Sequence, residues 1–267
     1  MFARASVLTV AVSLVSVSFA ETNLLDTGYR QMYNLQFAQA HQTFANWERA
    51  HPEDPMGCAS DAAAYLFTEF DRLHILQSEF FVQEEHFYTD RTLQPDPVVK
   101  RKLMAALDQA VALADRAPND PNAIFAAVLS HGLRSDYLAL IEKRYSASFR
   151  EMKAARTLAE QLLASHPEFY DAWIAVGVEN YMLSVKPAPL RWLLRLSGGQ
   201  TDRGLGIEKL RLTAEKGRYL APFARLLLAV AALRDRDKHR ARDLLAGLAR
   251  EFPNNPLYVH ELASLAD

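Results

Sequence analysis

The sequence contains a single cysteine and no excess of either charge, and both facts exclude broad classes of protein. Cys58 alone among 267 residues rules out a disulfide framework or a thiolate metal cluster within one chain. We expect it to be buried as a small apolar residue, with pairing between two molecules as the alternative. The 30 Lys and Arg residues stand against 32 Asp and Glu residues. Such a balance lacks the basic excess of a nucleic-acid-binding surface, so no nucleic-acid partner is predicted.

Signals for strands and for common catalytic sites are also scarce. No Asn-Gly or Asp-Gly hairpin turn is present, and β-branched residues do not alternate over a useful length. The sequence has no G-x-S-x-G elbow and no H-E-x-x-H pair. His74 and Glu79 are five residues apart and do not share a helix face, so no metal site is predicted there. We expect no cofactor, and an enzyme of the carbohydrate-active or another hydrolase type ranks below a binding protein.

Residues 1–20 have the layout of a secretory signal peptide. Arg4 precedes an apolar run from Val7 to Val17, and small residues follow at Ser18 and Ala20. The run is shorter than the roughly 20 apolar residues that span a bilayer. We therefore predict cleavage after Ala20 and a periplasmic or secreted protein. Later hydrophobic stretches are interrupted by charge, so no membrane span is expected after the leader.

The remaining residues, 21–267, predict a single all-α domain. Apolar residues recur at spacings of three and four, which places them on one stripe of each helix. One such stripe comprises Leu103, Ala106, Leu107, Ala110, Leu113 and Ala114, and another comprises Leu226, Leu227, Val230 and Leu233.

Four similar proline-containing breaks separate Ala/Leu-rich helices. They are His51-Pro52-Glu53-Asp54-Pro55, Pro118-Asn119-Asp120-Pro121, His166-Pro167-Glu168-Phe169 and Pro253-Asn254-Asn255-Pro256. Proline cannot continue a helix, and an Asp or Asn side chain can accept from the free N–H groups of the next one. The recurrence of this pattern predicts a repeat array.

Residues before each break fit the phase of a tetratricopeptide repeat. This repeat has a small residue 12 positions before the proline, and further apolar residues eight and five positions before it. The matching residues are Ala40, Phe44 and Trp47; Ala106, Ala110 and Leu113; Ala155, Ala159 and Leu162; and Ala241, Leu245 and Leu248. Gly28 occupies the expected glycine position, and Trp173 to Tyr181 resembles the opening of the repeat. The prolines are farther apart than the roughly 34 residues of a regular unit, so inserted helices are expected.

From about Tyr137 to the end, the chain resembles a degenerate tetratricopeptide subfamily of exported bacterial proteins. A mitochondrial outer-membrane family is a distant relative of that subfamily. The resemblance is carried by Asn180-Tyr181, Lys186-Pro187, Leu193-Leu194, Gly198-Gly199, Asp202-Arg203, Gly206 and the closing Phe252-Pro253-Asn254-Asn255-Pro256. It implies a right-handed superhelical solenoid of antiparallel helix pairs with no assigned catalysis. It identifies no functional residue.

Two irregular insertions, at about 65–95 and 182–206, are where we expect binding residues. The first combines aromatic and acidic side chains, and the second is a short apolar helix with two arginines between two prolines and two glycines. The predicted contact residues are Tyr65, Glu69, Phe70, Glu84, Glu85, Tyr88, Tyr181, Lys186, Arg191, Arg195, Asp202 and Arg203. Arg191 and Arg195 share a face and could grip one anion together, or they could pair with carboxylates such as Asp202 or Glu179.

The leading functional hypothesis is a non-catalytic periplasmic scaffold. Its concave face would bind a protein or peptide partner, and the protein would be a monomer or a weak dimer. The alternative is an envelope protein that binds a small ligand or lipid, with the insertions closing an apolar pocket.

Overall fold

The computed structural model describes residues 24–76 and 93–265, which form helices and no strand. Glu84, Glu85, Tyr88 and the predicted leader, residues 1–20, lie outside these ranges. The twelve described helices are α1 (24–33), α2 (Phe37–Ala50), α3 (Pro55–Arg72), α4 (Pro97–Ala114), α5 (Pro121–Asp136), α6 (Tyr145–Ser165), α7 (Trp173–Ser184), α8 (Ala188–Leu196), α9 (Arg203–Lys216), α10 (Ala221–Arg234), α11 (Lys238–Glu251) and α12 (Pro256–Ser264). A π-helical turn, Tyr137–Ile141, extends α5, and a 3-10 turn, Tyr170–Ala172, precedes α7. The prediction of an all-helical chain is confirmed over the described residues.

The proline-containing breaks are helix junctions, as predicted. At three of them a proline is the first helical residue and the residue before it caps the helix. The Asp54, Asp120 and Asn255 side chains accept from the backbone N–H groups of Met56, Ala123 and Leu257, respectively. These caps satisfy N–H groups that have no partner within the helix, and they fix where each helix begins.

Residues in the predicted repeat phase pack in the core. Ala40, Phe44, Ala159, Leu162, Ala241 and Leu248 are fully buried. A Cβ atom at Gly28 would overlap the Phe44 ring, so only glycine lets α1 and α2 approach this closely. Each helix from α2 to α8 packs against the one before it or after it along the chain, and α9 to α12 do the same among themselves; α3 also contacts α5, and α7 contacts α9 across α8.

The insertions differ in how they extend the helices. Tyr65, Glu69 and Phe70 belong to the last two turns of α3, which continues to Arg72 without a break. The second insertion forms α8, as the sequence predicts, and Gly198 follows it with φ +83. Gly198 N–H donates to the Arg195 carbonyl and Gly199 N–H to the Leu194 carbonyl, which is the Schellman arrangement at a helix end.

The first described helix contacts residues near the other end of the chain. The Tyr33 hydroxyl donates to the carbonyl of Tyr219 (3.0 Å), and the Asn255 amide donates to the carbonyl of Tyr33 (2.9 Å). The rings of Tyr29 and Tyr219 stack with centroids 4.9 Å apart. We call this set of contacts the closure, because it joins α1 to residues 218–258.

A salt bridge and a buried carboxylate support the closure. The Nε and Nη2 atoms of the Arg218 guanidinium donate to the two carboxylate oxygens of Asp26, each at 2.8 Å. The Asp171 carboxylate accepts the backbone N–H groups of Arg218 (2.8 Å), Tyr219 (3.1 Å) and Leu220 (2.8 Å). Asp171 is only 4% exposed, so these hydrogen bonds are shielded from water. They fix residues 218–220, which include Arg218 and Tyr219, the two residues that contact α1.

One described helix could cross a membrane by length and composition, whereas the sequence predicts no span after the leader. It is the continuous helix Pro121–Ile141, formed by α5 and the π turn. Of its most apolar stretch of 18 residues, 67% is buried inside the protein. It packs against α3, α4 and α6, which is the position of a core helix.

Replacing Asp171 with Asn should lower the free energy of unfolding by about 2 kcal/mol. Asparagine replaces one carboxylate oxygen with an NH2 group, which cannot accept a hydrogen bond. At least one of the buried N–H groups of residues 218–220 would then lose its acceptor. Urea denaturation measures the change. Asp115→Asn, at an exposed position, is the control and should leave stability within about 0.5 kcal/mol of the parent. Equal stability of the two variants would contradict the role assigned to Asp171.

Replacing Arg236 with Gly should raise stability by about 1 kcal/mol. Arg236 is an exposed residue with φ +61 at the end of α10, where a side chain is strained and glycine is not. Thermal unfolding of Arg236→Gly measures the gain. Arg240→Gly, inside α11, should instead lower stability, because glycine is unfavourable within a helix.

Candidate functional site: an internal apolar cavity

A large cavity, with a volume of about 440 Å³, lies among α3, α5, α6, α7, α8 and α10. This falls in the roughly 300–1,000 Å³ range of small-molecule sites. Its walls are almost entirely apolar. Representative lining residues are Phe70, Leu140, Phe149, Met152, Val178, Met182, Phe223, Leu227 and Val230.

A smaller cavity of about 70 Å³ adjoins the large one further into the core. Ser135, Asp136, Met152, Val178 and Phe223 line both spaces, so they form the boundary between the two. The smaller cavity also touches Tyr29 and Tyr33 of the closure. The two cavities together therefore extend from α8 towards the closure.

Helix α8 forms one wall and the rim of the large cavity. Leu190, Leu193 and Leu194 line it, yet no residue of α8 is buried. Leu193 is 54% exposed, and the neighbouring Trp192 is 65% exposed. Tyr145, across the cavity at the start of α6, is also an exposed lining residue. Exposed lining residues on α6 and α8 place the mouth of the cavity between these two helices.

Hydrogen bonds to backbone and hydroxyl groups hold α8 at its ends. The Arg191 guanidinium donates to the carbonyls of Ser184 (3.3 Å) and Lys186 (3.0 Å). The Arg195 guanidinium donates to Thr201 Oγ1 at 2.5 Å. The two arginines therefore act separately and do not converge on one anion. The interpretation that they pair with Asp202 or Glu179 is wrong.

A buried ion pair anchors the chain that follows α8. Glu179 is fully buried and accepts from Arg156 Nε (2.9 Å) and from the backbone N–H of Gln200 (3.0 Å). Burial raises the pKa of the Glu179 carboxyl, and the N–H of Gln200 and the charge of Arg156 oppose that shift. The Asn180 side chain adds bonds to Gln200 (2.7 Å) and to the N–H of Asp202 (3.0 Å). The second insertion is thus fixed to α7 on the side away from the mouth.

Asp136 is the carboxyl group in the cavity wall. Its side chain makes no hydrogen bond or ion pair with any residue in the described ranges. Burial away from water disfavours the charged form and raises the pKa of Asp136 to about 7. The neighbouring Ser135 hydroxyl is satisfied, since it donates to the carbonyl of Ser148 at 3.0 Å. Lys186 and Tyr145 also have contacts of their own.

The predicted residues of the first insertion take three different positions. Tyr65 is half-buried on the outer side of α3, where its ring lies 4.1 Å from that of His41. Glu69 is 1% exposed and is used internally, accepting from Arg72 (2.6 Å) and from the N–H of Asp96 (2.8 Å). Phe70 lines the cavity. No patch unites these three residues.

The predicted residues of the second insertion are mainly structural. Lys186 lines the cavity, whereas Asp202 caps α9 by accepting from the N–H of Leu205 at 3.0 Å. Arg203 pairs with Asp235. Tyr181 is buried against Gly206; burial raises the pKa of its hydroxyl, and the nearby Arg234 and Arg203 oppose that shift. Cys58 is buried, as expected, and burial raises the pKa of its thiol to about 12.

Sequence reasoning did not find most of the cavity wall. Asp136, Phe149, Met152, Val178 and Phe223 were not among the predicted contact residues. One signal for Asp136 is present, because it is an acid within the most apolar long helix of the described chain. No periodic pattern indicates that its side chain faces empty space.

No family model matches this chain, and neither a curated protein nor a solved structure matches it.

The stability of the protein should fall as the pH rises from about 4 to about 7, through the Asp136 carboxyl. An unfolded Asp has a pKa of about 3.9, and in the folded protein the pKa of Asp136 is about 7. The folded state therefore binds more protons in this interval, and raising the pH removes that advantage. Urea denaturation across the interval should show a smaller decrease for Asp136→Asn than for the parent. The Asp115→Asn control should follow the parent, and identical profiles for all three proteins would contradict the assignment.

Proposed function

We propose that this protein is a non-catalytic carrier that binds an apolar small molecule, such as one with an alkyl chain, in the internal cavity. The observation that carries the proposal is the cavity of about 440 Å³ with an apolar wall and a mouth beside α8. An alkyl chain gains about 0.8 kcal/mol for each methylene it removes from water. A chain of roughly ten methylenes therefore gains about 8 kcal/mol, which is comparable to the roughly 4–15 kcal/mol that immobilising a ligand costs.

The scaffold we infer is a tetratricopeptide-like solenoid of helix pairs whose ends are joined by the closure. Support comes from the four predicted junctions and from the buried residues in the repeat phase. A peptide groove needs an open concave surface, whereas here α1 contacts residues 218–258. These contacts favour a small ligand inside the fold over the peptide partner that the sequence alone suggests. The small-ligand or lipid-binding alternative is therefore our first choice.

Binding is better supported than catalysis. The charged residues that line the large cavity are Asp136 and Lys186, and they make no ion pair with each other. General acid–base chemistry usually needs two titratable groups around one reacting atom. A leader at 1–20 and export from the cytoplasm fit a carrier of envelope lipids or related molecules, and both remain part of the proposal.

Ligand entry beside α8 follows from the way this helix is held. Its end contacts are hydrogen bonds, and its apolar residues are partly exposed. Displacing α8 therefore exposes less additional apolar surface than displacing a buried helix of equal length. Trp192 and Leu196, which is 66% exposed, flank the entry point.

Filling the cavity should abolish ligand binding. We expect decanol, an uncharged alkyl probe, to bind the parent protein with one site in isothermal titration calorimetry. Val178→Trp should weaken binding at least tenfold, because Val178 lines both cavities and the indole would occupy the space of the chain. Val98→Trp is the matched control, since Val98 is exposed on α4 away from the cavity.

Ala139→Leu provides a milder test if the tryptophan variant does not fold. Ala139 lines the large cavity, and leucine adds three carbon atoms there. It should weaken decanol binding while leaving circular dichroism unchanged. Equal affinity in the parent, Ala139→Leu and Val98→Trp proteins would contradict binding in the cavity. Absence of binding of any ten-carbon alkyl probe to the parent, whatever its headgroup, would contradict the proposed function itself.

A further inference from the structure

The position of Asp136 indicates what kind of headgroup an apolar ligand would carry, if the proposed function holds. Asp136 is the last residue of α5 and lines both the large and the small cavity. It is therefore at the inner end of the large cavity, whereas Leu193 and Tyr145 mark the mouth. A ligand that fills the large cavity would bring one end to this carboxyl.

Within residues 24–76 and 93–265, nothing compensates the charge of Asp136. No Lys, Arg or His of these ranges forms an ion pair with it, and none of their N–H or O–H groups donates to it. Its place near the carboxyl end of a helix also gains nothing from the helix dipole, which favours cations there. A buried charge is normally paired, because leaving it unpaired in an apolar environment is costly.

The other titratable groups around the cavities do not replace that missing partner. The large cavity is lined by Lys186 from the α7–α8 turn and Tyr145 from α6, and the small one by Tyr29 and Tyr33 from α1. The four groups are engaged elsewhere: Tyr33 with Tyr219, Tyr29 with Ser60, and Lys186 and Tyr145 in further contacts. Among the titratable groups described around the two cavities, Asp136 is thus the one without a hydrogen bond or ion pair of its own.

We propose that the ligand is a long-chain amine, whose ammonium group pairs with the Asp136 carboxylate while its alkyl chain fills the large cavity. An ammonium donates hydrogen bonds and neutralises the carboxylate in one contact. A fatty carboxylate would bring a second negative charge to Asp136 and be repelled. A neutral alcohol would satisfy one oxygen and leave the charge uncompensated.

The energetic argument also favours an amine over a neutral headgroup. Asp136 is partly buried in an apolar wall, so part of the desolvation of its carboxyl has already taken place during folding. In such an environment an ion pair is stronger than at the protein surface. The desolvation of the ammonium and the immobilisation of the ligand remain as costs on binding, and burial of the alkyl chain offsets them.

Three probes of equal chain length test the headgroup: decylamine, decanol and decanoate, each used below its micelle-forming concentration. Isothermal titration calorimetry at pH 8, where the carboxyl is ionised and the amine is protonated, measures each affinity. We expect the parent protein to bind decylamine at least tenfold more tightly than decanol, and decanol more tightly than decanoate. Asp136→Asn should remove the preference for the amine, whereas the Asp115→Asn control should keep it.

The pH profile tests the same contact without a variant. Decylamine affinity for the parent should rise between pH 5.5 and pH 8 as Asp136 ionises, while decanol affinity should stay constant or decrease slightly. Equal affinities for decylamine and decanol at pH 8, or tightest binding of decanoate, would overturn the headgroup assignment. Neither result would contradict the proposal that an alkyl chain binds in the cavity. Failure of all three probes to bind would contradict the proposed function instead, so the two failures are distinguishable.

Discussion

The buried carboxylate of Asp171 is the contact on which the arrangement of the interior depends. It holds three successive N–H groups at residues 218–220, and that segment supplies Arg218 and Tyr219 to α1. The closure in turn places Tyr29 and Tyr33 against the inner end of the cavity system. The Asp171 side chain, on the turn before α7, therefore supports the contact between α1 and residues 218–220. Burial disfavours its charge and raises the pKa of Asp171, while the three N–H groups and Arg218 oppose that effect.

The second insertion shows how the same protein combines a rigid anchor with an exposed wall. Glu179 and Asn180 fix residues 198–202 to α7 through buried hydrogen bonds. The helix before that anchor, α8, lies over the cavity with no buried residue. A rigid support next to a weakly packed wall lets the wall move without loosening the rest of the fold. The polar residues that looked suited to binding are mostly the anchor, and the apolar residues between them line the cavity.

The helices and their junctions could be predicted because their determinants are local. Asp54, Asp120 and Asn255 cap helices within three residues of themselves, and Gly198 ends α8 through its own backbone. Long-range partners could not be predicted in this way. The Arg156–Glu179 pair and the Asp171 contacts join different helices, so spacing along the chain does not identify them. The cavity is harder still, because it results from volume that six helices leave unfilled, and the exposed or buried state of Asp136 depends on all of them.

The closure has a consequence for the order in which the fold is completed. Tyr33 bonds to Tyr219, 186 positions later, and Asn255 bonds to Tyr33 across 222 positions. Contacts of such large sequence separation carry a high loop-closure entropy and slow the folding of a domain. During synthesis α1 is made roughly 200 residues before its partners, which lie at Tyr219 and Asn255. The cavity consequently lacks its inner boundary until residues 219–255 have emerged, and a nascent chain that ends before them has no complete cavity wall.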